Sequence, residues 1–544
     1  MTSGDVWRHS GRAAPAGVTA LLLGTLVACS SSNSPPVELP ATGAPASTAG
    51  TAAGGTAGSS PSAAGGAPAR VAGQTASAPV AGSSPGDVPT TPPAGAAGTV
   101  AAAGSGGAPA AAGTGAPTTP PAAGGSADWT RMGYDVGSTY FNSAEKTLTK
   151  DNAGSLEVAW TAAMGGNVYG AALQVGDKMY ATAPGSVRAF EAATGKELWK
   201  TNVASTSTLG YANGKLFLNS GTGKMVSFDA ADGKMLWSMP HSTQSSDGSS
   251  SAIPIGDYVI VGGSSGSVEL SGGTGGFRGY VSALDLTTGE TKWTGYTVPE
   301  NATGASLWSS VSADLTLGHV YAGTGNNYNN PATDTSDAII AMDLKTGEIK
   351  WKKQCIANDT FPGGAGPDSD FGANPVVYDA AVGGTLTKLI ADGAKGGTVH
   401  SINRETGTEV WMRKLCSGTA DGSSGIFTNF GWTGENLVVA CNESGAAVLY
   451  GLDGGSGDIK WMRTLPGRVW GRTAFANGVG FVGAGTKLEV FDVSTGALIK
   501  SFDSMGGTIA STITVANGRV AFGEGLSWLS NGTRGTTLTV LAIK

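Results

Sequence analysis

Four cysteines and four histidines are all that 544 residues offer for zinc, haem or thiol chemistry. Neither CxxC nor CxxCH occurs, so covalently attached c-type haem is excluded, and no spacing suits a zinc site made of cysteines alone or of paired cysteines and histidines. Cys355 and Cys416 follow Trp351 and Trp411 by four and five residues. If those tryptophans mark equivalent places in neighbouring units, the two thiols come together as a disulfide, which an exported protein permits. Lys and Arg total 33 against 40 Asp and Glu, a formal net charge of -7. An acidic chain of this kind is not expected to bind nucleic acid.

The tryptophans belong to an internal repeat. Ala189-Phe190-Glu191 leads through Thr194-Gly195-Lys196 to Trp199, and the same unit recurs with its last residue at Trp237, Trp293, Trp351, Trp411 and Trp461. A seventh copy runs Val490-Phe491-Asp492 through Thr495-Gly496-Ala497 to Lys500, where the Trp is lost. Each copy reads as strand, tight turn, strand, with Gly where a hairpin needs positive φ and Asp or Glu placed to accept turn amides. The Trp falls on the outermost strand, where a large flat side chain can tie one unit to the next. The chain stops at Thr539-Val540-Leu541-Ala542-Ile543-Lys544, half a unit, and the missing half stands at the start as Leu156-Glu157-Val158-Ala159-Trp160. Pairing the two ends makes an eighth unit and removes the exposed edges of a linear array. The expectation is an all-β, eight-bladed β-propeller of four-stranded antiparallel blades over residues 128–544.

What precedes the propeller reads as an address and a tether. Residues 1–28 combine Arg8 and Arg12 with an apolar stretch from about Ala13 to Val27, too short for a comfortable span and shaped like a secretory signal. Leu26-Val27-Ala28-Cys29 resembles the bacterial lipobox, which implies lipidation of Cys29, export and an outer-membrane location. Residues 29–127 are nearly all Ala, Gly, Pro, Ser and Thr, and only Glu38, Arg70 and Asp87 carry charge. Such a segment has nothing to bury and is expected to stay disordered, reaching roughly 55 Å as a flexible coil. Within the propeller, Trp-to-Trp spacing is 39 and 38 residues, then 56, 58, 60 and 50, then 39 to Lys500. The added length falls in consecutive blades and is where a site is most readily built on a rigid ring.

The Ala-x-Asp-x-x-Thr-Gly-x-x-x-Trp unit resembles the tryptophan-docking repeat of pyrroloquinoline quinone proteins, and the resemblance covers the whole propeller. Four stretches are most similar to the polyvinyl-alcohol-dehydrogenase branch. They are Asp128-Trp129 through Gly133-Tyr134-Asp135 to Thr147-Leu148-Thr149, Gly304-Ala305-Ser306-Leu307-Trp308-Ser309-Ser310, Gly323-Thr324-Gly325-Asn326-Asn327-Tyr328, and Gly366-Pro367-Asp368-Ser369-Asp370-Phe371-Gly372-Ala373-Asn374-Pro375. The resemblance implies a bound pyrroloquinoline quinone (PQQ), a planar anionic tricycle, together with Ca²⁺; the missing CxxCH adds no haem. Trp308, outside the docking positions, matches the aromatic floor under the quinone. Glu269 matches the carboxylate ligand of Ca²⁺ and Asn326 the amide ligand; neither fills the shell of a hard cation alone. Asp334, with Asp337 next, matches the carboxylate that takes the alcohol proton as hydride leaves for the quinone, and Asp334 would also touch the metal. Lys395, in Gly393-Ala394-Lys395-Gly396-Gly397, matches the cation that polarises the quinone oxygens.

The departures from that pattern are specific. No adjacent cysteines cap a quinone; Gly275-Gly276 lies near where related sequences have them. Gly425-Ile426-Phe427-Thr428-Asn429 stands in place of a Glu-Trp-Gly segment, and no Arg in the second blade is placed to meet a quinone carboxylate. Two expectations follow. One is a monomeric PQQ-dependent dehydrogenase, held to a membrane through Cys29, oxidising a small or polymeric alcohol and passing electrons to a separate acceptor. The other is a non-catalytic propeller that binds protein at the outer membrane, as the barrel-assembly lipoprotein with this repeat does.

Overall fold

The computed structural model describes residues 127–203, 207–244, 246–270, 276–361, 367–418, 424–428, 430–526 and 532–544. The signal segment, Cys29 and the tether lie outside the described residues. Eight four-stranded antiparallel sheets follow one another. Blade 1 is built from Leu173–Val175, Lys178–Ala183, Ser186–Glu191 and Glu197–Asn202. Blades 2 to 7 take residues 210–240, 253–296, 312–354, 376–414, 430–464 and 474–503. Blade 8 joins the two ends: Thr537–Ile543 pairs with Leu156–Ala163, from Leu156 against Ile543 to Ala163 against Thr537. The split eighth unit expected from the sequence is therefore the closure of the ring. No helix among the described residues is long and apolar enough to cross a membrane.

The first three strands of each blade are largely buried and the fourth faces solvent; Met235–Pro240, for example, is exposed at five of its six positions. The repeat explains how blades hold one another. Each docking Trp lies on the turn glycine of the next blade. A Cβ on Gly347 would stand 2.4 Å from Cε3 of Trp293, and one on Gly457 2.5 Å from Cε3 of Trp411, so only glycine allows that approach. Both turns also need positive φ, +74° and +72°. Except at Trp237, whose Nε1 has no partner among the described residues, the indole N–H then donates to the carbonyl just past the Asp, Glu or Asn of that turn. Trp160 reaches Ala192 O at 2.9 Å, Trp293 Leu344 O at 3.0 Å and Trp461 Val493 O at 3.0 Å. Asp285 shows the turn itself: its Oδ1 accepts the amides of Thr287 and Thr288, both at 2.9 Å. Blade 8 has no such turn, which accounts for Lys500. In place of an indole, its ammonium donates to Gly154 O and Leu156 O at 2.9 and 2.8 Å, gripping the start of the closing strand.

The inner edges are closed by one segment, residues 129–142, that visits every blade in order. Trp129 exchanges backbone hydrogen bonds with Gln174 of blade 1, and Thr130 O accepts from Tyr211 N of blade 2. The Arg131 guanidinium donates to Pro254 O of blade 3. Val136 O, Gly137 O and Thr139 O accept from Ala313, Val377 and Trp432 of blades 4, 5 and 6. Tyr140 O and Asn142 N bracket Phe475 of blade 7, and Asn142 Nδ2 donates to Val515 O of blade 8 at 2.8 Å. The inner strands would otherwise present a ring of unpaired backbone groups. Above this segment the blades are linked directly: Ala171 N, Thr208 N, Ser251 N and Ser310 N donate in turn to Thr208 Oγ1, Ser251 Oγ, Ser310 Oγ and Asn374 Oδ1.

The disulfide differs from the expected pairing. Cys416 joins Cys441, and Cys355 is a free thiol. Cys416 lies just past the outer strand of blade 5 and meets the second strand of blade 6, whereas the Cys355 backbone is held within blade 4 by its bond to Asp337 O. Equal distance from a docking Trp does not bring two outer-strand residues into contact, because such positions are separated by the width of a blade.

Replacing Gly347 by Ala combines a left-handed backbone penalty with a clash against Trp293. It should destabilise the head by about 2–4 kcal/mol, read as a lowered urea midpoint of the full chain. Unchanged stability would show that the indole does not rest on that turn.

Candidate active site

The loops that build the site all lie at one end of blades 3, 4 and 5, the sector the Trp spacing marks as enlarged. After the second strand of blade 3, Gly266–Leu270 forms a short helical turn that carries Glu269. The link between blades 3 and 4 carries Trp308, and the hairpin within blade 4 carries Asn326 and Tyr328. Asp368 and Asp370 lie on the link between blades 4 and 5, and Lys395 on the hairpin between Thr385–Gly393 and Thr398–Asn403. Lys395 N donates to Asp370 O at 2.9 Å, which ties the last two loops together.

Oxygens of Glu269, Asp368 and Asp370 lie within 4.8 Å of one another. Lys395 Nζ donates to Asp368 Oδ1 at 2.6 Å and to Asp370 Oδ2 at 3.0 Å. Asp370 is held on both oxygens: Oδ2 also accepts from Trp308 Nε1 at 3.2 Å, and Oδ1 from Asn326 N at 2.9 Å. Glu269 Oε2 accepts from the Tyr328 hydroxyl at 3.3 Å, and the same phenol contacts Ser265 and Ser306. Asn326 Nδ2 donates to the carbonyls of Asn327 and Phe361, which leaves Oδ1 as its ligand atom. The Trp308 ring has Lys395 Nζ 5.6 Å from its centroid, and its benzo edge lies where a Cβ on Gly372 would be, 1.8 Å from Cη2. It packs against a cluster of Phe427, Trp470, Ala510 and Leu526.

Three acids and one lysine leave a formal charge of -2 if all are ionised. Burial, then the charge of Asp370, pushes the Glu269 carboxyl up to about 8. Burial and Asp370, opposed by Lys395, push Asp368 up to about 6. Burial works against the charge of Lys395, but Asp370, Asp368 and Glu269 outweigh it and its pKa is raised. Oxygen donors with an excess of two negative charges suit a hard divalent cation, and Asn326 Oδ1 would add a neutral ligand. A flat indole beside an ammonium suits an anionic aromatic ligand. The residues present therefore fit both the metal and the quinone that the sequence resemblance implies.

The structure brings Glu269, Trp308, Asn326 and Lys395 together and separates the two expected bases. Asp334 is exposed and ion-paired to Lys352 at 2.7 Å, outside the cluster. Asp337 is fully buried behind it, neither carboxyl oxygen has a partner, and burial together with Asp370, Asp359 and Asp368 raises its pKa well above the ordinary range. The sequence reading assigns no role to Asp368 or Asp370. Two acids one residue apart, between Gly366-Pro367 and Gly372, in a chain only 13% charged, were the available signal. Asp368 also has a left-handed backbone, φ 56°, of the kind that clusters at functional sites.

Comparison with known proteins accords with this geometry. Residues 239–415 match the model for the glucose/ethanol/alcohol dehydrogenase β-propeller domain, and residues 395–538 match that for outer membrane protein assembly factor BamB. A polyvinylalcohol dehydrogenase of Sphingopyxis sp. (strain 113P3) is 26% identical over 300 residues, covering 45% of this chain and 44% of that protein. A putative dehydrogenase XoxF of Paracoccus denitrificans is 28% identical over 341 residues, covering 51% and 54%. The chain thus spans about half the length of the curated relatives it matches. Among solved structures, quinohemoprotein alcohol dehydrogenase from Comamonas testosteroni superposes with a TM-score of 0.65 at 18% identity, over 76% of this chain and 80% of that one. BamB from Moraxella catarrhalis gives 0.52 at 18%, over 71% and 99%. Fold and site define an eight-bladed propeller with a carboxylate–lysine–tryptophan centre. The family-model matches and the named relatives support the pyrroloquinoline quinone repeat propeller family, near its alcohol dehydrogenase branch.

The raised carboxyls give the site a signature in stability. A group whose folded pKa lies above its unfolded value stabilises fully below the unfolded value and loses that contribution as pH rises through the folded one. Without divalent cation, stability should therefore fall between about pH 4 and 8, as Asp368 and then Glu269 ionise at about 6 and 8. Saturating Ca²⁺ should flatten that fall. Urea midpoints at pH 5 and pH 8, in EDTA and in Ca²⁺, test this; identical slopes would show that the cluster holds no cation.

Proposed function

We propose that the head is a quinone- and divalent-cation-dependent dehydrogenase that oxidises an alcohol. The observation that carries this reading is the convergence of Glu269, Asp368, Asp370 and Lys395 on the indole of Trp308. Bound pyrroloquinoline quinone would supply the two-electron acceptor that alcohol oxidation needs. Trp308 would give it a flat apolar face, and Lys395 a positive charge beside its oxygens. Glu269, Asp370 and Asn326 Oδ1 would hold the cation, Ca²⁺ being the ion this oxygen set suits.

Asp368 is the better proton acceptor of the residues present. Both oxygens of Asp370 are already engaged, Asp337 is buried behind the cluster, and Asp334 lies outside it. Asp368 gives one oxygen to Lys395 and keeps the other, and its pKa near 6 is matched to work close to neutral pH. Electrons would pass to a separate acceptor. The Leu26-Val27-Ala28-Cys29 run supports an exported lipoprotein anchored in the outer membrane, with the tether holding a monomeric head off the bilayer.

The match of residues 395–538 to the barrel-assembly model supports a second reading, a protein-binding scaffold. That stretch contains Lys395 but not Glu269, Trp308 or the two aspartates, so it leaves the acid cluster without a task.

Titrating the full chain with pyrroloquinoline quinone, with and without Ca²⁺, separates the two by Trp fluorescence. The dehydrogenase reading expects one-to-one, Ca²⁺-dependent quenching that Glu269→Ala abolishes. It also expects Asp368→Asn to keep binding and lose turnover by about 10²–10⁴-fold in an alcohol screen with an artificial acceptor. No binding at high quinone concentration would leave the scaffold.

A further inference from the structure

Trp470 and Phe427 lie outside the docking positions, on the links between blades 6 and 7 and between blades 5 and 6. Their rings pack with centroids 5.5 Å apart, tilted by 54°. Ala510, on the link between blades 7 and 8, and Leu526, past the second strand of blade 8, join them in one buried cluster. Trp308, on the link between blades 3 and 4, and Tyr169, between blades 8 and 1, pack against it. In a closed ring of eight, the link between blades 3 and 4 stands diametrically opposite the link between blades 7 and 8. One apolar cluster that touches Trp308 and contains Ala510 therefore crosses the axis of the ring, on the face that carries the acid cluster.

The backbone beneath this cluster is pinned. Thr428 Oγ1 donates to Trp470 O at 3.0 Å and to Gly471 O at 3.2 Å, which joins the link of Phe427 to that of Trp470. Asn442 clasps the residue before Trp470, accepting from Val469 N at 2.8 Å and donating to Val469 O at 3.0 Å. A Cβ on Gly471 would stand 2.1 Å from Ser511 O, so glycine lets this link lie against the one that carries Ala510. Trp308 is held differently. Its N–H donates to Asp370 Oδ2 at 3.2 Å, and the neighbouring benzo edge abuts Gly372. Both contacts lie along one edge of the indole, so together they act as a hinge line. A third contact must stop the ring from turning about it, and the cluster supplies that contact.

We propose that Trp470 and Phe427 are positioning residues, which close the mouth of the ring across its axis and set the tilt of the Trp308 plane. A ligand then reaches that indole from the side of Lys395 and the acids. That the ligand is a quinone rests on the reading above; that the indole is held from across the ring does not.

The test uses the full chain labelled with 5-fluorotryptophan and read by ¹⁹F NMR. The Trp308 signal is identified by its loss in Trp308→Phe. Trp470→Ala should shift and broaden that signal and raise its H₂O-to-D₂O isotope shift, while the docking tryptophans keep theirs. Trp470→Phe should restore the wild-type signal, and Phe427→Ala serves should Trp470→Ala not fold. In the quinone titration, affinity should fall about tenfold or more in either alanine variant and recover in Trp470→Phe. A wild type that binds no quinone would end the oxidoreductase reading and leave the fluorine spectrum to decide the positioning. A Trp308 signal that neither alanine variant moves, or that moves only together with those of the docking tryptophans, would overturn the proposal.

Discussion

The docked indole is the contact on which the rest of this molecule depends. A single four-stranded blade cannot bury both its faces, so its stability is a property of the ring. Each Trp fixes its neighbour by apolar contact with a glycine that has no side chain, and all but Trp237 do so a second time by an N–H aimed at a carbonyl. The two parts constrain each other: the indole can reach the carbonyl only because the glycine lets it lie flat. Repeated around the ring, this sets the angle between blades, and that angle sets how far apart the loops of blades 3, 4 and 5 stand. The few ångströms that separate Glu269, Asp368 and Asp370 are thus fixed at the far end of the same sheets.

At the site the governing quantity is charge. Three acids share one lysine in a sparingly charged chain, and burial penalises the ionised forms of Glu269 and Asp368. Asp370 takes the central place by spending both oxygens on Lys395, Trp308 and Asn326, which makes it a structural strut. Tyr328 and the serines around it orient Glu269 in the same way. These outer contacts hold a cluster of acids in a fixed arrangement.

The fold was largely written in the sequence because its determinants are local and periodic. Asp, Gly and Trp recur at fixed offsets, and the half-units at the two ends announce the closure. Even the exception was legible as a missing Trp at Lys500, although its bonds to Gly154 O and Leu156 O were not. The site was legible where a residue sits inside a distinctive string, as Glu269, Trp308, Asn326 and Lys395 do. It was not legible for which acids join the cluster, because Asp334 and Asp337 differ from Asp368 and Asp370 only in where loops of uneven length deliver them. The disulfide failed for a related reason: equivalence along a repeat is not proximity across it. Contacts between residues 129–142 and all eight blades are long-range and leave no periodic trace.

That circling segment sets a timetable for the polypeptide. Its residues leave the ribosome before any blade exists, yet Asn142 finds its last partner, Val515, 373 positions later. Closure of blade 8 likewise waits for Thr537–Ile543. Partial rings have neither a closed circumference nor a completed inner edge, so the native state is available only to the whole head. High contact order of this kind slows folding. The head therefore reaches its full width only when its last strand has joined the ring.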